Sequence, residues 1–175
     1  MSRTQSARTF SLFALGALMV STGTAISAEA AALPELTCRL SMPTTLGRKE
    51  PAVAVLALRN RGKEPVAILK RNTPLEGWLA DSLIVTRDEQ PVPYIGPMAK
   101  RMPPSADEYL LLKPGARRRT RVALQRGYDV SLPGQYLVRW KGELMDVQLG
   151  KAPVNLALSQ PKTVACNVLA FTRTP

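Results

Sequence analysis

Apolar and polar residues alternate in short runs along most of this chain, and turn-forming residues separate the runs. Glu35–Met42 reads as a first strand. In Ala52–Arg59, Val53, Val55 and the alternate apolar positions face one core or two, a period-two pattern that belongs to a strand. Arg59-Asn-Arg-Gly-Lys makes a turn, and Pro65–Lys70 returns as Val-Ala-Ile-Leu. Leu83-Ile-Val-Thr ends in a hairpin-like loop, Arg87-Asp-Glu-Gln, that leads to Val92-Pro-Tyr. Tyr109-Leu-Leu-Leu runs into Lys113-Pro-Gly. Thr120, Val122 and Leu124 share one face, and Gln135–Trp140 alternates after Pro133-Gly134. Met145–Leu149, Val154–Leu158 and Val164–Phe171 complete the set. Proline sits mostly at the boundaries of these runs, where a missing N–H costs least.

Outside the N-terminal segment no stretch of ten or more residues carries a helical period. Seven to nine short strands with turns between them predict an all-β, immunoglobulin-like antiparallel β-sandwich. Tyr128-Asp-Val-Ser-Leu-Pro-Gly-Gln-Tyr136 has the form of the corner that enters strand F of such a domain.

The N-terminal segment changes the picture of the compartment. Arg3 and Arg8 precede an uncharged apolar run, Phe10–Val20, and Ser21–Ala32 turns to small residues. This is the pattern of a secretory signal peptide cleaved after Ala28, Ala30 or Ala32; an uncleaved membrane anchor is the alternative. Residues 1–32 are therefore read as signal peptide and cleavage region, and 33–175 as a single β-sandwich domain. The expected location is periplasmic or secreted, with no stable membrane insertion after processing. In an oxidising compartment an isolated cysteine pair, Cys38 and Cys166, is most simply a disulfide, with two free thiols as the alternative.

Charge narrows the partners. The formal net charge of +11 falls to about +9 once Arg3 and Arg8 are removed. An exported chain with few aromatics for base stacking is not expected to bind nucleic acid. Anionic surface polymers or an acidic protein partner fit the compartment better. Arg117-Arg-Arg-Thr-Arg121 is the densest basic run; on a strand, Arg117, Arg119 and Arg121 share the outward face, where they protect an edge or steer an acidic partner electrostatically.

The chain contains no histidine. Ser-His-Asp and Cys-His arrangements and the usual His-bearing zinc sites are thereby excluded. The carboxylates are scattered, and the nearest pair, Asp107-Glu108, is expected on opposite faces of a strand. No enzyme activity, catalytic residue, metal site or cofactor is expected.

Six pieces of sequence carry a resemblance: Asn72-Thr-Pro-Leu-Glu-Gly77, Val92-Pro-Tyr-Ile-Gly-Pro97, Lys100-Arg101, Asp107-x-Tyr109, Leu112-x-Pro-Gly115 and Tyr128-Asp-Val-Ser131. In order and spacing, from about Leu56 to Trp140, they resemble the N-terminal prodomain of deuterolysin-type (aspzincin) zinc metalloendopeptidases. In that family the segment is an immunoglobulin-like sandwich that assists folding of the protease and inhibits it. The His-Glu-x-x-His helix of the catalytic domain is absent here, and arginines follow Pro114-Gly115-Ala116. The resemblance implies a free-standing prodomain-like protein, an inhibitor or folding chaperone of a secreted metalloendopeptidase acting in trans. A non-inhibitory envelope adhesion or assembly module, binding an anionic surface polymer or protein, is the alternative. On the first reading the proline-fenced loop Tyr94–Tyr109 is the contact, with Tyr94, Pro97, Met98, Lys100, Arg101 and Met102 as its binding residues. Proline lowers the entropy lost on docking, the methionines offer adaptable apolar contact, and the cations suit an acidic cleft.

Overall fold

The computed structural model describes residues 34–150 and 159–175. The segment read as a signal peptide and the strand expected at Val154–Leu158 lie outside the described residues.

Alternation along the chain is converted directly into two facing sheets. The first holds β1 (Leu36–Ser41), β3 (Val53–Asn60) and β8 (Arg117–Ala123) in the order β1-β3-β8, all antiparallel. The second is built on β9 (Gly134–Trp140), flanked by β5 (Leu83–Arg87) and β13 (Leu169–Arg173). The short β6 (Gln90–Pro91) extends it beyond β5. At its other side β2 (Thr45–Leu46) pairs parallel with β13. A first strand that breaks and moves to the last strand of the opposite sheet gives the fold its immunoglobulin-like topology. Beside these, β4 (Val66–Leu69) pairs with β7 (Tyr109–Leu112) and β11 (Val147–Leu149), and β10 (Glu143–Leu144) pairs with β12 (Lys162–Thr163).

The inward residues of both main sheets form one core. Leu40, Leu56, Leu58 and Val122 come from the first; Val85, Tyr136, Val138, Trp140 and Phe171 come from the second. All four residues of β4 are buried, as its uninterrupted Val-Ala-Ile-Leu run requires. The corner expected before strand F is present. Tyr136 stacks on Phe171 with ring centroids 4.8 Å apart, and its hydroxyl donates to the carbonyl of Leu132 at 2.7 Å. The hairpin between β5 and β6 turns through Asp88 and Glu89, both with positive φ (48° and 68°), the twist a two-residue hairpin favours.

Cys38 and Cys166 form a disulfide, with Cα atoms 4.8 Å apart and a separation of 128 positions in sequence. Cys166 lies in the connection before β13, a stretch that the sequence pattern assigned to a longer strand, Val164–Phe171. Its neighbour Asn167 explains the difference. The Asn167 side chain accepts from the Leu40 N–H at 2.8 Å and donates to the Leu40 carbonyl at 3.0 Å, so it occupies the outer edge of β1 instead of continuing a strand. The other departure is at Asp107-Glu108. These residues lie in a 3-10 helix, Ala106–Glu108, not on a strand, because the Ser105 N–H donates to Glu108 and closes the turn. Among the described residues helical structure is limited to this turn and two others of the same kind, Pro74–Glu76 and Leu124–Arg126.

Candidate functional site

The loop from Tyr94 to Tyr109 is tethered at both ends by tyrosines. Tyr94 bridges to Tyr128 in strand-like fashion, and its ring lies 5.4 Å from that of Tyr128 and 6.1 Å from that of Trp78. Its hydroxyl donates to the Pro97 carbonyl at 2.9 Å and so closes the first turn of the loop. Burial is the main cause that raises the Tyr94 phenol above its ordinary value. Below it, Tyr128 is buried, and its single hydroxyl proton lies between two acceptors, Asp81 Oδ1 at 2.5 Å and the Leu83 carbonyl at 2.8 Å. At the far end Tyr109 donates to the buried carboxylate of Asp146 at 2.7 Å. Burial first, and that carboxylate second, push the Tyr109 phenol well up.

Trp78 needs room to stand under Tyr94, and Gly127 provides it. A Cβ on Gly127 would lie 2.2 Å from the indole, so the ring packs directly on glycine backbone. From the same backbone the Gly127 carbonyl accepts from the Ile95 N–H at 2.8 Å.

The middle of the loop is fastened to the segment that follows β4. The Ala99 N–H donates to the Leu79 carbonyl at 2.9 Å. Arg101 reaches Glu76 at 2.6 Å, and the Glu76 side chain is only 10% exposed. Glu76 Oε1 also accepts from the Asn72 N–H at 2.7 Å, and Asn72 has a positive φ of 56°. The Thr73 hydroxyl caps the short helix Pro74–Glu76 by accepting from the Leu75 N–H at 3.1 Å. Asn72-Thr-Pro-Leu-Glu-Gly-Trp78 is thus a structural corner that carries Glu76 to the loop. Arg71 completes the frame from the end of β4: it grips Glu108 and donates to the Met102 carbonyl.

What these tethers leave outside is an oily, singly charged tip. Ile95, Met98 and Met102 are 63%, 70% and 79% exposed. Lys100 is exposed and, among the described residues, has no hydrogen-bond or ion-pair partner. Of the six residues expected to bind a partner, Met98, Lys100 and Met102 are therefore presented to solvent. Pro97 is exposed at the turn, whereas Tyr94 is half-buried and Arg101 is bound to Glu76. Ile95 belongs with the tip although it is not among the residues expected to bind.

Arg117, Arg119 and Arg121 lie exposed on the outward face of β8, as alternation predicts, with Thr120 half-buried on the other face. The register adds two more cations to that face: Arg59 stands directly opposite Arg117, and Arg39 lies across Ala57 from Arg119.

A cleft of about 530 Å³ opens beside the start of the loop, lined in part by Arg48, Ile95, Tyr128, Asp129 and Arg173. Two of its polar side chains, Arg173 and Asp129, hold the neighbouring chain in place. Arg173 donates to the carbonyls of Gly47, Arg48 and Glu50 at 2.8–3.1 Å. Asp129 accepts from the hydroxyl and N–H of Ser131, bonds that hold its carboxyl below the usual range. Among the described residues no group of three or more Cys, Asp or Glu is gathered as a metal site would need. Nor is any helix there long and apolar enough to cross a membrane.

No family model matches the chain. Over 85 residues it is 40% identical to an extracellular protease of Aeromonas hydrophila, a match spanning 49% of this chain and 24% of that protein. The chain thus covers about a quarter of the relative's length. Among solved structures it is similar to a CARDB domain from Pyrococcus furiosus, with 14% identity and a TM-score of 0.37 over 81% of this chain and 89% of that one. It is also similar to a β-glucosidase of Listeria innocua, with 11% identity and a TM-score of 0.34 over 81% of this chain and 16% of that one.

Proposed function

We propose that this protein is an exported, non-catalytic partner of a secreted metalloendopeptidase of the deuterolysin type, acting in trans as its inhibitor, its folding chaperone or both. The observation that carries the reading is the 40% identity to part of an extracellular protease, in a chain that has no histidine. Whatever segment of the protease is shared, this chain cannot furnish a histidine-based zinc site. The likeness then supports a non-catalytic segment, which the resemblance to the prodomain defines more closely. The tethered loop suits the role: its tip offers apolar side chains and one unpaired ammonium, and its base is already ordered, so little further entropy is lost on docking.

The test is titration of the purified protein against deuterolysin-type metalloendopeptidases, with serine proteases as controls, together with refolding of the denatured protease in its presence. The expected result is saturable inhibition, or raised refolding yield, confined to the metalloendopeptidases. Neither effect on any of them would favour the envelope-binding alternative.

A further inference from the structure

The first sheet has two edges, and the fold treats them differently. At β1 the edge is covered: Asn167 satisfies both backbone groups of Leu40 at 2.8 and 3.0 Å, and the disulfide at Cys38 fixes the neighbouring chain. At β8 nothing comparable happens. Among the described residues no backbone hydrogen bond joins Arg117–Ala123 to any element but β3. Unpaired N–H and C=O groups at such an edge are a template for another strand.

The side chains beside that edge decide which strand it accepts. Arg117, Arg119 and Arg121 project from one face at intervals of two residues, about 6.6–6.8 Å. Arg59 sits directly opposite Arg117, a like-charge pair that costs stability in an empty sheet. Arg39 adds a fifth cation in the row of Arg119. Among the described residues none of these five makes an ion pair. A basic strand is repelled from this edge, and a neutral one gains no charge pairing there. One with carboxylates at every second position meets them in register and relieves the repulsion between Arg59 and Arg117.

We propose that the free edge of β8 is a docking site for an extended acidic segment of a partner polypeptide, which adds a strand beside Arg117–Arg121 and sets three alternating carboxylates against Arg117, Arg119 and Arg121. The length is set by the structure: toward Ala123, Pro74, Gly77 and Trp78 close in around a cleft of about 110 Å³. This contact is separate from the Tyr94–Tyr109 loop and stands whether or not the partner is a protease.

The probe is a capped synthetic heptapeptide, Thr-Glu-Val-Glu-Val-Glu-Thr. It is compared with an isomer whose three glutamates are adjacent, with a copy N-methylated at the amides that would face β8, and with linear polyphosphate. Affinity is read by fluorescence anisotropy, and the site by amide chemical shifts and hydrogen exchange along β8. The alternating peptide should bind at least tenfold more tightly than the isomer and the methylated copy, and should protect edge amides of Arg117–Arg121. Arg117→Glu and Arg119→Glu should each weaken it at least tenfold, and Arg39→Glu, two strands away, should do less. Thermal melts establish that the variants are folded. Equal binding of all four probes, or tighter binding of polyphosphate, would make the face a general polyanion surface and overturn the proposal. So would absence of binding, or variants that change only the association rate and its salt dependence, which is the mark of steering alone.

Discussion

The guanidinium of Arg71 holds both carboxylate oxygens of Glu108, Nε to Oε1 at 2.7 Å and Nη2 to Oε2 at 2.6 Å, and places its remaining Nη1 against the Met102 carbonyl at 2.5 Å. One side chain at the end of β4 thereby fixes both the descending limb of the exposed loop and the turn that ends it. Fork-to-fork geometry of this kind combines strength with direction. The Arg71 side chain is 8% exposed and that of Glu108 28%, so water competes for the pair only from the Glu108 side.

Arg71→Ala should therefore destabilise the protein by about 1–3 kcal/mol, because it leaves Glu108 without its cation and the Met102 carbonyl without its donor. Chemical denaturation measures the loss, and amide exchange should show it concentrated in residues 98–108. Arg71→Lys should recover only part of it, since a single ammonium cannot repeat the fork. A change within 0.5 kcal/mol for Arg71→Ala would mean that the loop is held by its other tethers.

The same pair gives the loop an acid limit. The Arg71 hydrogen bond, followed by the Ser105 N–H, holds the Glu108 carboxyl down to about 2, against an ordinary value near 4.5. A depressed carboxyl contributes stability that is complete above the unfolded value and lost as pH falls through the folded one. Stability, and order in the loop, should decline between about pH 4.5 and pH 2. In Glu108→Gln that part of the acid transition should be missing when melting temperature is followed against pH. An unchanged profile in the variant would assign the acid transition to other groups.

The contrast between the strands and these tethers shows what the sequence made legible. Period-two alternation located β3, β8 and β9, and a tyrosine behind Pro133-Gly134 located the corner, because both are local patterns. Cys38 and Cys166 were legible as a pair since no third cysteine competed. Two-residue strands such as β2, β10 and β12 have no period to detect. Arg71 and Glu108 are 37 residues apart, and Arg101 and Glu76 are 25 apart; nothing local distinguishes those ion pairs from solvated charge. Likewise Arg39 and Arg59 join Arg117, Arg119 and Arg121 only through strand register.

Reduction of the disulfide should be costly but not fatal to the sandwich. Closing a loop of 128 residues is worth about 4–5 kcal/mol on a chain-entropy account, and Asn167 still ties β1 to the far strand connection by two hydrogen bonds. Cys38→Ser with Cys166→Ser should thus lower the melting temperature by many degrees while leaving the far-ultraviolet spectrum of a β-protein. A variant as stable as the parent would show that the staple contributes little beyond Asn167.

Gly127→Ala tests the floor of the loop without touching its tip. The added methyl would fall at 2.2 Å from the Trp78 ring, so the indole must leave its place beneath Tyr94. Overpacking at such a contact costs about 1–3 kcal/mol. Tryptophan fluorescence should shift toward that of a more exposed ring, and inhibition of a target protease should weaken along with stability. Unaltered fluorescence and melting would mean that the backbone yields instead of the ring.

Lys100 and Arg101, adjacent in sequence, should separate cleanly by function. Lys100 has no partner among the described residues, so Lys100→Ala should leave the melting temperature almost unchanged. If its ammonium enters a desolvated acidic pocket of the protease, the same change should raise the inhibition constant at least tenfold, about 1.4 kcal/mol. Arg101 instead braces the loop against Glu76, and Arg101→Ala should cost about 1 kcal/mol of stability. Its effect on inhibition should be reproduced by Glu76→Gln, which breaks the same brace from the other side. Met98→Ser with Met102→Ser, which removes the apolar part of the tip, should weaken inhibition without any thermal penalty, since both side chains are more than two-thirds exposed. Inhibition indifferent to Lys100→Ala and to the methionine pair alike would remove this loop from the interface and leave the basic edge of β8 as the contact to pursue.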